Sequence, residues 1–563
     1  MAEKETKVFL YGLDGVSWPL LDLWLNKGEM PYLKSFLKKG LRAVLETTIP
    51  TLTMPALPAL YTGMNPGELG IFSLSKPTGE IITIKDLTYP RIWDHLGKEG
   101  LSSLIYNAKF TYPPDEIKGI MVSAGPYPKG AKDYTYPREV RKEIEAIDEK
   151  RSVDKEKVSK DFKNIDKRPE DHYLLCVEEM KVRFKRFLHL AAKDEFPFIF
   201  YWEGMTDAVQ HRLWYHPGLL KRFFKEVDTL LGKIMEEFQD YHIFIVSDHG
   251  FHSSASVRFH VNNWLEDLSY LKRTHTNPFT RYLVNLAHHL ARNYIPDSAL
   301  EKMLSLFKKK EKEKVGGYDT EEDLIKRDLA SAKSWNLAHL PGIDYRKSKA
   351  FQSEHWGIDV VNCKSKEEYE AVRETIIKKA ERLRAPEKVL SFIKKRGVVE
   401  QEDLRQVFQI VKKREEVFKG PYLSQIPDIV FLTTPQYFPE YQLGSKIYTK
   451  PRGLSKRIVP GDHNRALYGV FAVSGSEVRV RGGFKSNVKI YDIMPTLLWL
   501  FGLELPRYLD GKVLTGLFKI EREVCYSEEK VEKLHTEPKK VFSVKEQKEM
   551  RERLKSMGYI DEI

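Results

Sequence analysis

Three aspartates and three histidines, far apart in the sequence, are the residues of this chain whose types point to metal chemistry. They are Asp14, Asp207, His211, Asp248, His249 and His463. Carboxylates and neutral imidazoles are suitable ligands for zinc or manganese. Three of each around two ions would leave a centre with little residual charge. The set therefore predicts a binuclear site for divalent metal ions, with zinc favoured and manganese as the alternative.

The elements that must position these residues are short apolar runs of strand length. They are VFLYGLDG (8–15), FIFYWEGMTD (198–207), IFIVSDHG (243–250), DIVFL (428–432) and YGVFAVSG (468–475). Between these runs, leucine and phenylalanine recur at helical spacing, as in amphipathic helices. This alternation predicts an α/β fold, a three-layer sandwich with a mostly parallel central sheet and cap insertions.

Most of these acidic and histidine residues lie at the ends of these runs. Ligands bind open α/β sheets beyond the carboxyl ends of the strands, so residues that follow the runs should converge on one edge. Asp207 and His211 are four residues apart and would share one face of a helix. His463 precedes its run instead of following it. It reaches the same edge only if that strand is antiparallel to the others.

The segment IPTLTMPALPALYTG contains the candidate nucleophile, Thr53. Met54 and Pro55 follow it, and proline is favoured in the first turn of a helix. We therefore expect Thr53 at a helix N-terminus, where backbone N–H groups such as that of Met54 can bind phosphate. A Thr-x-Pro sequence alone predicts an ordinary helix cap. The metal-ligand set elsewhere in the chain favours a hydroxyl nucleophile activated by a metal ion.

The motifs resemble, in their order along the chain, those of the alkaline phosphatase superfamily and in particular its type I phosphodiesterases and nucleotide pyrophosphatases. They are LDGVSW, IPTLTMPALPALYTGMNPGELGI, TDAVQH, SDHG, GDHNRALYGVF and DIMPTLLWLFGLELPRYLDGKVL. The resemblance implies hydrolysis of a phosphate diester or pyrophosphate bond through a phospho-threonine on Thr53. It implies that one ion is held by Asp207, His211 and His463. The other would be held by Asp14, Asp248, His249 and the oxygen of Thr53.

Departures from the family pattern leave the substrate open. Nucleotide pyrophosphatases usually carry a histidine and an asparagine after the nucleophile helix, where this chain has Leu69 and Leu74. Ser73, or a group from an insertion, could replace that phosphate-orienting asparagine. A phosphomonoesterase or phosphotransferase at the same site, and a non-catalytic binding protein that keeps the fold, are the alternatives. Leu57 stands where sulfatases carry arginine, which argues against a sulfatase.

The length of 563 residues predicts one large enzyme domain with insertions, or two domains. We expect the first part of a metallohydrolase core at 1–258, with a small charged insertion at about 131–170. A cap insertion at 259–344, a second core part at 345–525 and a C-terminal helical tail at 526–563 would follow. The tail reads as an amphipathic helix that docks on the core or on a second subunit, so an oligomer is possible.

The charge and composition of the chain are compatible with a small phosphorylated substrate and argue against nucleic acid as a partner. The net charge of +12 arises from 92 basic and 80 acidic residues, which would attract a small phosphorylated substrate only weakly. No nucleic-acid-binding motif accompanies the basic surplus, and the run KKKEKEK is typical of a solvated linker. The abundance of lysine and glutamate resembles that of thermophilic proteins.

The N-terminus lacks a signal-peptide pattern, and the chain has no apolar run of membrane-spanning length. The apolar and basic stretch at 278–295 favours packing in a cap over contact with a membrane surface. Cys176, Cys363 and Cys525 are far apart and odd in number, which predicts neither a disulfide framework nor a thiolate zinc site. These features together predict a soluble cytoplasmic protein.

Overall fold

A computed structural model of the chain describes residues 6–76, 80–125, 127–128, 130–147, 168–274, 342–394, 404–450, 461–479, 487–528, 534 and 541–557. The chain divides into two compact units. The first contains residues 1–255, 418–422 and 452–563, and the second contains 256–417 and 423–451. Most of the expected cap insertion, with the 278–295 stretch and the KKKEKEK run, and much of the charged insertion lie outside the described residues.

The strands run through both units. In chain order they are β1 (Val8–Leu13), β2 (Gly40–Glu46), β3 (Ser103–Ala108), β4 (Gly119–Ser123), β5 (Thr135–Tyr136), β6 (Phe198–Glu203), β7 (His242–Val246), β8 (His252–Ser253), β9 (Val257–His260), β10 (Ala350–Glu354), β11 (Gly357–Val360), β12 (Phe408–Lys413), β13 (Ile429–Thr433), β14 (Tyr437–Glu440), β15 (Tyr448–Thr449), β16 (Gly461–Asp462), β17 (Tyr468–Ser474), β18 (Val488–Lys489), β19 (Leu505–Pro506) and β20 (Tyr526–Ser527).

The helices alternate with these strands. They are α1 (Trp18–Leu25), α2 (Pro31–Lys39), α3 (Thr53–Thr62), α4 (Pro66–Leu69), α5 (Ile92–Lys98), α6 (Val140–Ala146), α7 (Pro169–Ala191), α8 (Met205–Leu213), α9 (Pro217–Glu237), α10 (Val261–Asp267), α11 (Lys366–Glu381), α12 (Glu387–Lys394), α13 (Arg414–Val417), α14 (Ile493–Leu500) and α15 (Val544–Met557). Short 3-10 turns lie at Ile84–Asp86, Leu423–Gln425, Ile490–Asp492 and Thr515–Leu517. None of these described helices combines the length and apolar character needed to cross a membrane.

The first unit is built on a central sheet with the strand order β18-β2-β17-β7-β1-β6-β3-β4-β5. Strands β7, β1, β6, β3 and β4 are parallel neighbours. Strand β17 is antiparallel to both β7 and β2. The predicted mostly parallel α/β sheet is confirmed, as is the antiparallel direction predicted for the strand that follows His463.

Helices cover both faces of the central sheet. Successive side chains of a strand point to opposite faces, so each central strand packs against helices on both sides. From β1, Val8 and Leu10 pack in a cluster with α3, α5 and α14. Phe9 and Tyr11 pack on the opposite side with α1, α2, α7 and α9. Burial on both faces explains why these strands are continuous apolar runs in the sequence. The arrangement is the predicted three-layer sandwich.

The second unit has its own core. Its four-stranded sheet has the order β10-β11-β13-β12 and is antiparallel throughout, and β14, β9 and β15 form a separate sheet. The boundaries differ from the expected ones, which assigned residues 345–525 to the metallohydrolase core. The run DIVFL forms β13 in this unit and not a strand of the central sheet. A short apolar run specifies burial but does not specify which strand it pairs with.

The C-terminal segment packs on the first unit. The ring of Phe542 stacks on Tyr112, with centroids 5.8 Å apart and an interplanar angle of 1°. Phe542, just before α15, and Met550 within α15 are buried with Ile81 and Tyr112. Of the two docking sites left open by the sequence, this part of the tail therefore uses the core of its own chain.

Substituting Gly12 by alanine is expected to destabilise the protein by about 3 kcal/mol. A Cβ atom at Gly12 would lie 1.8 Å from Cε3 of Trp202, a fully buried side chain. The matched control is Gly218→Ala in α9, where a Cβ meets nothing within 4 Å. Thermal unfolding of both variants checks this. A Gly12→Ala midpoint equal to that of Gly218→Ala would contradict the packing argument.

Candidate metal centre

Asp14 and Asp248 lie at the same edge of the central sheet, because they follow the neighbouring parallel strands β1 and β7. Both are fully buried. The backbone N–H of Gly15 donates to Asp248 Oδ1 at 3.1 Å. Gly15 has a φ of +69°, and a Cβ there would lie 3.1 Å from Asp207 Oδ1. The sharp turn after β1 therefore needs glycine and brings the carboxylates together.

Asp207 and His211 come from the first turns of α8, which follows β6, the other parallel neighbour of β1. Their spacing places them on one helix face, with His211 Nε2 3.4 Å from Asp207 Oδ1. Burial opposes ionisation of Asp207, but the charge and hydrogen bond of His211 outweigh it and hold the pKa of Asp207 well below its ordinary value. The contact with His211 therefore favours the ionised form of Asp207.

His463 reaches the same place from the loop between β16 and β17. Its ring stacks on that of His249, with centroids 4.2 Å apart, and lies 5.1 Å from the ring of His211. The antiparallel direction of β17 explains this, because the start of an antiparallel strand lies at the carboxyl ends of its neighbours. The three histidines thus form one cluster.

The hydrogen bonds of these histidines fix which ring nitrogen can bind a metal. In each ring, Nδ1 faces a backbone carbonyl oxygen, which can only accept. The pairs are His211 with Gly461 at 3.0 Å, His249 with Gly250 at 3.0 Å and His463 with Thr51 at 3.4 Å. A neutral ring that donates from Nδ1 carries its lone pair on Nε2. Such outer hydrogen bonds orient metal-binding histidines.

Thr53 is the first residue of α3, and the helix N-cap is Leu52. The side chain of Thr53 is therefore not an ordinary N-cap. Its Oγ1 lies 3.1 Å from His249 Nε2, and the residue is 8% exposed. The N–H of Met54 belongs to the first turn, whose N–H groups have no acceptor within the helix. The structure thus places a hydroxyl and a helix N-terminus next to the histidine cluster.

Burial shapes the electrostatics of the centre. Burial raises the pKa of Asp14 to about 7, the nearby Asp248 adds to this and Lys109 opposes it. Burial also raises the pKa of Asp248 to about 6. Burial and the neighbouring His249 lower the pKa of His463 to about 3. Carboxylates held together out of water beside His463, which is held neutral, are a donor set that favours a divalent cation.

Two carboxylate oxygens have the character of metal ligands. Asp14 Oδ1 and Asp248 Oδ2 are buried and make no hydrogen bond, a costly state without a compensating cation. Asp248 Oδ2 lies 3.2 Å from His249 Nε2, and Asp14 Oδ1 lies 3.7 Å from it. The residues present therefore fit the metal ions that the sequence predicts.

The ligand atoms converge in two groups, within each of which all atoms lie within 4.8 Å of one another. The groups are Asp207, His211 and His463, and Asp14, Asp207 and His249. The first matches the expected set. The second differs from the expected grouping, because it contains Asp207 in place of Asp248. The carboxylate of Asp207 belongs to both groups, which only the folded distances reveal.

Sequence reasoning missed two side chains at the centre. Lys109 Nζ forms an ion pair with Asp14 Oδ2, and Trp202 Nε1 donates to the same oxygen at 3.2 Å. Lys109 directly follows β3, a parallel neighbour of β6. Its position after a strand therefore indicates that it lies at the same edge of the sheet. Lysine is absent from the predicted ligand set, because a protonated amine offers no lone pair to a metal ion.

The structure does not bring Ser73 into this cluster. Ser73 lies in an exposed turn, and its Oγ donates to the carbonyl of Ser75 at 2.7 Å. Leu69 is buried in the core beside α3, and Leu74 packs against the same core. The positions where relatives carry histidine and asparagine therefore serve packing here.

Comparison with known families agrees with this geometry. The sequence profile of the type I phosphodiesterase / nucleotide pyrophosphatase family matches residues 8–346. The chain belongs to this family. It is therefore an enzyme of the phosphoric ester hydrolases, and the family resemblance predicted from the motifs is confirmed. The family is metal-dependent, in agreement with the two ligand groups. His463 lies beyond the matched segment.

Similar folds occur among solved structures. Murine ectonucleotide pyrophosphatase / phosphodiesterase 5 is 14% identical, with a TM-score of 0.43 over 88% of this chain and 95% of that one. An inactive variant of that enzyme in complex with AMP has the same identity and TM-score over 89% and 96%. Phosphonoacetate hydrolase from Sinorhizobium meliloti 1021, in complex with phosphonoacetate, is 14% identical, with a TM-score of 0.49 over 88% and 95%. Comparison with curated proteins gives no match.

Proposed function

We propose that this protein hydrolyses a phosphate diester or pyrophosphate bond of a small substrate, with Thr53 as the nucleophile and two divalent metal ions as cofactors. The observation that carries the proposal is the position of Thr53 Oγ1, 3.1 Å from His249 Nε2 at the start of α3. A hydroxyl at a helix N-terminus, beside a cluster of carboxylates and imidazoles, has both an activating group and a phosphate-binding end nearby.

The side chains that would hold the two ions are those implied by the family resemblance, and the first ligand group supports one of the two sets. Asp207, His211 and His463 would hold one ion. Asp14, Asp248 and His249, with the oxygen of Thr53, would hold the other. Zinc suits this mixture of imidazole and carboxylate ligands, and manganese is the alternative. When bound, such ions lower the pKa of a hydroxyl and stabilise negative charge on phosphoryl oxygens.

The residues of the chain perform the remaining steps. Thr53 Oγ forms a bond to phosphorus, its proton passes to water, and the leaving ester oxygen takes the electron pair of the broken bond. Water then attacks the phosphorus of the threonine ester, releases the phosphorylated product and restores the hydroxyl. The N–H of Met54 in the first turn of α3 can donate to a phosphoryl oxygen, where the helix dipole favours negative charge.

Removal of metal tests this proposal directly. We expect protein treated with a chelator to lose all turnover of bis-p-nitrophenyl phosphate, and zinc or manganese to restore turnover in proportion to bound metal up to two ions per chain. Metal content is measured by plasma mass spectrometry on the samples that are assayed. Equal turnover by the metal-free and the metal-loaded protein would exclude the metal-dependent mechanism.

A further inference from the structure

The turn that carries His463, residues 461–465, is closed by its own side chains. Asp462 Oδ1 accepts from the backbone N–H of Asn464 at 3.0 Å, and Asp462 Oδ2 accepts from the guanidinium of Arg465 at 2.8 Å. Arg465 is buried and has a φ of +88°, which non-glycine residues rarely adopt. Such strain persists where surrounding contacts fix it, and it clusters at functional sites. The turn therefore depends on its contacts to keep this conformation.

This turn bears on both histidines of the first ligand group. It carries His463 itself, and the carbonyl oxygen of Gly461 faces Nδ1 of His211 at 3.0 Å. The rings of the two histidines have centroids 5.1 Å apart. The spacing between the two ring nitrogens that can bind a metal ion thus depends on the position of one short turn.

Thr51 connects the turn to the segment that contains Thr53. The Thr51 hydroxyl donates to the carbonyl oxygen of His463 at 3.2 Å and accepts from the backbone N–H of Arg465 at 2.6 Å. The carbonyl oxygen of Thr51 faces Nδ1 of His463 at 3.4 Å. Thr51 is 2% exposed, so solvent does not compete for these contacts. One threonine therefore contacts both the backbone and the ring of His463.

We propose that Thr51 is a positioning residue whose hydroxyl holds His463 in place to bind the metal ion of the first ligand group. Without the hydroxyl, the backbone N–H of Arg465 loses this buried acceptor, which favours movement of the turn. The second ion would be held by residues that follow β1 and β7, so the loss should affect one ion more than the other. This inference rests on the two-ion centre of the proposed function.

Zinc affinity tests the role of Thr51 without turnover. Thr51→Val removes the hydroxyl and keeps the shape of the side chain. We expect it to weaken one of the two zinc sites by roughly 10- to 100-fold, as for loss of an outer hydrogen bond at other metal sites. Thr51→Ser keeps a hydroxyl and should restore much of the affinity. Thr51→Ala is a second variant without the hydroxyl and should weaken the same site. Competition with a chelating dye measures both zinc affinities.

Thr496→Val is the matched control. Thr496 in α14 is also buried, and its hydroxyl also joins two backbone groups: it donates to the carbonyl oxygen of Asp492 at 2.7 Å and accepts from the N–H of Leu514 at 3.0 Å. Thr496→Val should lower the midpoint of thermal unfolding, as Thr51→Val does, but leave both zinc affinities unchanged. An equal loss of zinc affinity in the two variants would identify a general loosening of the fold as the cause and would overturn the inference.

Cobalt provides a spectroscopic readout, because the visible absorption of a bound cobalt(II) ion depends on the number and arrangement of its ligands. In cobalt-loaded protein, Thr51→Val should change the absorption of the weakened site, whereas Thr51→Ser and Thr496→Val should keep the wild-type spectrum. Wild-type zinc affinities together with a wild-type cobalt spectrum in Thr51→Val would overturn the inference. A wild-type protein that binds fewer than two zinc ions would instead refute the proposed function.

Discussion

Substitution of Thr53 by alanine is expected to lower kcat/KM for bis-p-nitrophenyl phosphate by at least about 1,000-fold, as for removal of an attacking group in other enzymes. Such a loss is equivalent to about 4 kcal/mol of transition-state stabilisation. Thr51 cannot substitute, because its hydroxyl donates to the His463 carbonyl and accepts from the N–H of Arg465. Steady-state kinetics at a fixed zinc concentration measure the effect.

The matched control is Thr53→Ser, which keeps a hydroxyl at the start of α3. It should retain a large part of the activity. We also expect it, like the wild type, to form a covalent adduct that mass spectrometry detects on the peptide containing position 53 after rapid quenching. Both variants should bind metal through the six carboxylate and imidazole ligands. Turnover by Thr53→Ala within tenfold of the wild type would show that another group attacks phosphorus.

Substitution of Asp248 by asparagine is expected to change stability in opposite directions without and with metal. Without metal, the variant replaces one of several neighbouring buried carboxylates by a neutral amide. Its free energy of unfolding should therefore exceed that of the wild type by about 2 kcal/mol, as when buried charges in other proteins are replaced by uncharged groups. The amide oxygen can still accept from Gly15, so the turn is kept. With metal, loss of a ligand that lowers affinity about 100-fold removes about 2.7 kcal/mol of the stabilisation by bound zinc.

Asp228→Asn is the control for this second prediction. Asp228 is buried as well, but its two oxygens accept from the backbone N–H groups of Tyr32 and Leu33 at 3.1 and 2.7 Å. An amide replaces one acceptor by a donor, so this variant should lose stability to the same extent with and without zinc. Urea unfolding with chelator or with excess zinc separates the cases. If Asp248→Asn behaved as Asp228→Asn does, Asp248 would be a structural residue.

The two predictions address different parts of the proposal. Loss of activity in Thr53→Ala concerns the attacking oxygen, whereas the reversed stability of Asp248→Asn concerns metal binding and needs no substrate. These results can therefore fail independently, and each failure identifies the residue whose role is wrong.

The sequence was sufficient to predict the residues at the sheet edge, because strand ends are encoded locally. Asp14 and Asp248 follow continuous apolar runs, and runs of that kind are buried parallel strands whose carboxyl ends meet at one edge. The antiparallel direction of β17 followed from the position of His463 before its strand. These inferences need only periodicity, spacing and the chemistry of the side chains.

The sequence could not assign strands to sheets. DIVFL and YGVFAVSG are both apolar runs, yet the first forms β13 in the second unit and the second forms β17 in the central sheet. Pairing depends on contacts between residues far apart in the chain, and short apolar runs do not specify them. The expected boundary at 345 differs from the structure for this reason.

The sequence by itself determined the fold class, the family and the types of group at the centre: six candidate ligands and one threonine hydroxyl. The tertiary structure decided how they meet. It placed Asp207 in both ligand groups, directed each histidine Nδ1 to a carbonyl and brought Lys109 to Asp14. The physical reason is that local pattern encodes burial and strand ends, whereas distances between side chains and the charges they face arise only from long-range packing.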